Sequence, residues 1–161
     1  MTRRPINPHA TALAIARSSA VPRDHAEEKL STARRCLNAL LQGGKGANAG
    51  WMGLAGVVGI AQAFGELGIG RGDDAKRILD EATETLARIW VQAQERKTWA
   101  LTAEQRAEVS ERCGLLIDLY AVQLRNASQA EHQRAFDRAK ARIEGAQRGQ
   151  VGRGVTVVGE M

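Results

Sequence analysis

The stretch AGWMGLAGVVGIAQAFGELG, residues 49–68, decides how this chain folds, because it is the most apolar part and Gln62 and Glu66 are its only strongly polar residues. As a helix it is about 30 Å long, close to the hydrocarbon thickness of a bilayer. Its six glycines, at 50, 53, 56, 59, 65 and 68, each cost about 1 kcal/mol relative to alanine in a helix interior, so such a helix relies on its neighbours for stability. Gly50, Gly53, Gly56 and Gly59 recur every third residue and wind slowly round the axis as a strip without side chains. Another helix can approach that strip closely. Trp51, Leu54, Val57, Val58, Ile60 and Phe64 cover the remaining sides, which predicts a buried central helix. Membrane insertion is the competing reading of the same residues, and the mixed polar content weighs against it. Replacing Gly53 or Gly56 by leucine is expected to destabilise the fold by forcing packed helices apart.

The rest of the chain is far more polar. At 161 residues it suits one domain able to bury about two thirds of its unfolded surface. Three prolines, 43% hydrophobic residues and long runs of Ala, Leu, Glu, Arg and Gln favour helix. Strand formers gather only at Val57 and Val58 and in the run Val155, Thr156, Val157, Val158. The expected fold is all-α, a single-domain bundle of about five helices.

Working outward from the central segment, the preceding helix starts near Asp24 and carries a heptad seam of Ala26, Leu30, Ala33, Leu37 and Leu40. The loop that joins the two, residues 43–48, is rich in glycine and contains Lys45. It lacks the strand and the Lys-Ser/Thr pair that a phosphate-binding loop needs, and reads as a hinge between antiparallel helices. On the other side, residues 68–72 form a second glycine joint, and Asp73 offers a cap for a helix with the seam Ala75, Leu79, Ala82, Leu86, Ile89 and Ala93. Trp99 sits in the following turn, packed over a helix end. Thr102 and Gln105 have capping-box spacing and open a long helix with stripes of Val109, Cys113, Leu116 and Tyr120 and of Ile117, Leu124 and Ala127. Asp118 falls on its exposed strip. Ser128 and Glu131 have the same capping-box spacing, so the helix either passes straight through or restarts there. Uninterrupted it would reach about 65 Å, longer than a bundle of this size can cover, so its distal part folds back, projects, or packs on another chain. The expected domains are a flexible basic arm over 1–7, a bundle over 8–145 with 128–145 as the part free to project, and a Gly/Arg-rich tail over 146–161.

The three histidines, His9, His25 and His132, lie far apart and no nucleophile–base or paired-carboxylate pattern is visible. No catalytic residue, cofactor site or metal site is therefore expected; His25 and Glu28 share a helix face but no second pair completes a metal site. Cys36 and Cys113 read as reduced thiols packed as small hydrophobes. Leu13, Ala14 and Ile15 are followed at once by Arg17 and Ser18, so no signal-peptide apolar run develops, and a cytoplasmic protein is expected. The net charge is +5, with arginine outnumbering lysine 18 to 5. On the last helix Arg134, Arg138, Lys140 and Arg142 crowd round a thin stripe of Phe136, Ala139 and Ile143. The expected function is non-enzymatic: a helical protein–protein interaction module, an adaptor or regulatory accessory, with self-association as one form of it. In one alternative, a nucleic-acid-associated protein, those four cations contact phosphates. Another alternative is a membrane-active protein using residues 49–68.

Overall fold

The computed structural model describes residues 19–152, with side chains through residue 146. The basic arm over 1–7 and the valine run after residue 154 lie outside the described residues. The fold is all-α. Five helices follow one another: α1 (Arg23–Gln42), α2 (Ala47–Glu66), α3 (Asp73–Arg96), α4 (Ala103–Asn126) and α5 (Gln129–Gly152). Among the described residues the only extended pairing is an isolated antiparallel bridge between Ala20 and Ser128.

Local chemistry fixes most of the boundaries. Gly43 adopts a left-handed conformation (φ 70°) and its N–H caps the carbonyl of Leu40, ending α1. A side chain there is disfavoured by the positive φ and by the backbone of Trp99 and Ala100, which a Cβ would crowd at 3.0 and 3.2 Å. Thr102 and Gln105 form the capping box that starts α4. The N-cap of α3 is Gly72 rather than Asp73, without a side-chain cap. Asp73 and Asp74 instead occupy its first turn, where carboxylates favour the positive end of the helix dipole. The long final helix is interrupted. Ala127 turns to an extended conformation (φ −92°, ψ 147°), and Ser128 and Glu131 then form a second reciprocal capping box, at 2.9 and 3.1 Å. Extended backbone at this joint also holds the chain before α1: the Val21 N–H donates to Ala127 O and the Gln129 N–H to Ser19 O.

The glycine-rich helix α2 is the hub, packing on α1, α3, α4 and α5. Leu54, Ala61, Ala63 and Phe64 are wholly excluded from solvent. The heptad residues of α3 and both stripes of α4 are buried as their spacing predicts, and Asp118 is exposed. Trp51 of α2 lies 4.6 Å from Trp90 and donates its indole N–H to the Leu86 carbonyl at 2.8 Å, and Trp90 stacks in turn on Trp99 at 5.9 Å. No helix among the described residues is long and apolar enough to cross a membrane.

The four glycines of the strip meet different neighbours. A Cβ on Gly50 would run into the Cys36 carbonyl oxygen and the Leu40 nitrogen, and one on Gly53 into the Cys36 sulfur. Gly59 faces Ala139 of α5, whose Cβ would be 3.6 Å from its own. At Gly56 nothing lies within 4 Å, so the close contact expected there is absent. Gly50→Ala should therefore destabilise by roughly 1–3 kcal/mol despite alanine's better helix propensity, because backbone cannot yield. Gly56→Ala should instead gain up to about 1 kcal/mol. Denaturant midpoints of the two variants check the contrast.

Candidate functional site

The last helix folds back on the hub. Ala135 and Ala139 are buried against α2, which lets the two helices approach closely at Gly59. The polar half of this contact is Glu66, in the last turn of α2, where a carboxylate is unfavourably placed against the helix dipole. Arg138 Nη1 donates to Glu66 Oε2 at 3.0 Å, and Arg142 Nη2 reaches both carboxylate oxygens. The Arg142 hydrogen bond, helped by Arg138, holds the Glu66 carboxyl below its ordinary value of 4.5.

Two of the four basic residues singled out in the sequence are thus brought together on an acid of the same chain. Lys140 has Glu144 at 4.0 Å, one turn along, and Arg134 is exposed with no ion pair among the described residues. Residues 129–146 hold the four cations and the acids Glu131, Asp137 and Glu144, and Glu66 of α2 adds a fourth acid, so this surface carries little net charge. Its outward strip is partly apolar. Phe136 is 45% and Ile143 54% exposed, one heptad apart on the same face.

A second concave feature lies between α1 and α2, a groove of about 470 Å³ where Gly56, Val57, Ile60 and Tyr120 form an apolar wall and Glu28, Lys29 and Thr32 a polar rim. Cys36 borders it as a half-buried free thiol, while Cys113 is fully buried and burial pushes its thiol up to about 12. His25 lines the same groove, but no group of three or more His, Cys, Asp or Glu residues among the described residues can hold a metal. The other polar cluster, between α3 and α4, is internally satisfied: Arg88 forks onto Glu108 at 2.7 and 3.1 Å, and buried Thr85 donates to Glu108 and accepts from Arg112. It ties the two helices together.

Sequence reasoning did not assign three residues that hold the site. Glu66 was visible only as a charge inside an apolar run. Gln123 is fully buried, and its amide N–H groups donate to the carbonyls of Ala61 (3.0 Å), Ile69 (3.2 Å) and Gly70 (3.3 Å). It thereby clamps the end of α2 and the following turn. His132 packs its ring 5.9 Å from Phe64, and its Nε2 is buried without a partner. Burial, with Lys29 nearby, lowers its pKa from 6.5. The hint for all three was a polar residue within an otherwise small or apolar helical stripe.

Compared with family models, curated proteins and solved structures, the chain gives no significant match to any.

Both depressed groups act in the same direction. His132 takes up its proton more readily in the unfolded chain, so stability is complete above 6.5 and falls as pH drops from there toward the folded value. Glu66 adds a second decline below 4.5. Thermal melts should show a lower Tm at about pH 5.5 than at about pH 7.5, with the difference reduced in His132→Leu and retained in Glu66→Gln, whose group titrates below this range.

Proposed function

We propose that the protein is a non-catalytic helical interaction module that presents α5 to a protein partner, as an adaptor or regulatory accessory. The observation that carries this reading is the seating of α5. Its small residues and two of its arginines are committed to α2, while Phe136 and Ile143 face outward on a strip of balanced charge. Apolar side chains ringed by polar ones suit a protein contact. Phosphate binding draws on unpaired cations, and the Glu66 fork reduces them here. Free Cys36 and Cys113 fit a reducing, cytoplasmic setting.

The test uses Phe136→Ser combined with Ile143→Ser. Both positions are half exposed, so the variant should melt within a few degrees of the wild type, as expected of surface substitutions. It should lose the protein that the wild-type chain retains from its source cell, and nuclease treatment should leave wild-type retention unchanged. Retention that nuclease abolishes and that the double variant keeps would sink the reading in favour of nucleic acid.

A further inference from the structure

The outward strip of α5 is complementary to itself. From Gln133 to Glu144 it presents, in order, an amide, a phenyl ring, a carboxylate, an ammonium, an isoleucine and a carboxylate, at 133, 136, 137, 140, 143 and 144. When two copies of a helix pack antiparallel, residues whose numbers add to one constant lie opposite each other. Phe136 with Ile143 gives 279, Asp137 with Lys140 gives 277 and Gln133 with Glu144 gives 277. All three pairs therefore fall within about 1.5 Å of a single axial register, since each residue advances the helix by about 1.5 Å. Every pair occurs twice by the two-fold axis, aromatic on aliphatic and carboxylate on ammonium. A parallel arrangement would set Asp137 against Asp137 and Lys140 against Lys140.

Among the described residues these groups pair with near neighbours on their own helix: Gln133 Nε2 donates to Asp137 at 2.9 Å, and Lys140 lies 4.0 Å from Glu144. Phe136 and Ile143 remain about half exposed. We infer that the occupant of this strip is a second copy of the chain, joined through antiparallel α5 helices with Phe136 on the partner's Ile143 and Asp137 on the partner's Lys140. This rests on the reading of α5 as the interaction surface and names its partner. The contact is a single helix pair, so the dimer forms reversibly with concentration.

Sedimentation of the full chain over a concentration series tests it. The wild type should pass from one chain to two, and Phe136→Ser with Ile143→Ser should stay at one. Asp137→Lys alone, or Lys140→Asp alone, should weaken self-association by about tenfold, since each variant opposes like charges across the axis. The deciding measurement is an equimolar mixture of those two single variants, which should restore wild-type association. Residues 137 and 140 are also neighbours along one helix, and within each variant chain they remain like-charged in the mixture. Recovery therefore reports only the contact between copies. A chain that stays monomeric throughout, or a mixture no tighter than its components, overturns the dimer. If the Phe136 and Ile143 variant then still loses a different protein partner, the interaction reading survives its failure.

Discussion

Everything in this bundle depends on one place where backbone meets backbone: Gly50 of α2 against the Cys36 carbonyl of α1. No side chain fits between them, so the two helices are drawn together at the hinge end, over Leu40 and Ala47, both fully buried. The contact slackens along the strip, from backbone at Gly50 to a sulfur atom at Gly53 and to open space at Gly56. The groove against α1 opens where the glycines cease to be filled. Close approach at one end and separation at the other leave the far part of α2 available to α5, which fits its own alanines to Gly59. A helix of intrinsically poor propensity thus becomes the common partner of all the others, its deficit offset by packing.

Polar groups in the interior do the positioning. Gln123 donates to the carbonyls of Ile69 and Gly70, in the turn after α2, and to that of Ala61 within the helix, and at Gly70, where φ is positive (57°), a Cβ would run into the glutamine stem. Leaving such carbonyls dry and unpaired costs about 1–3 kcal/mol each, which is why a buried amide is tolerated there although its own Oε1 has no partner. Trp51 links α2 to α3 by donating to the Leu86 carbonyl. Both contacts fix the depth at which a helix sits, something an oily interface alone leaves loose.

Periodicity made the helices and their seams legible: apolar spacing depends on local geometry, and Ala75, Leu79, Ala82, Leu86, Ile89 and Ala93 are all buried. Caps were legible for the same reason, since Thr102 with Gln105 and Ser128 with Glu131 act over three residues. Contacts across long separations left no local trace. Glu66 and Arg142 stand 76 residues apart and Gln123 and Ala61 62 apart, and no single-sequence pattern pairs them. The glycine strip showed that something approaches closely but not what, so Gly56 looked equivalent to Gly50. On α5 the charges were plain, and their division between Glu66 and the outer strip was not.

The short bridge at Ala20 and Ser128 ties the start of the described chain to the joint between α4 and α5. Backbone before α1 is bonded to the joint between α4 and α5 by the Val21 and Gln129 amides. Lifting α5 from the hub strains that joint, and releasing residues 19–21 removes the bonds that hold its extended turn. These two amides, remote in sequence, are bonded across one bridge, so separation of the two segments should expose both to hydrogen exchange together.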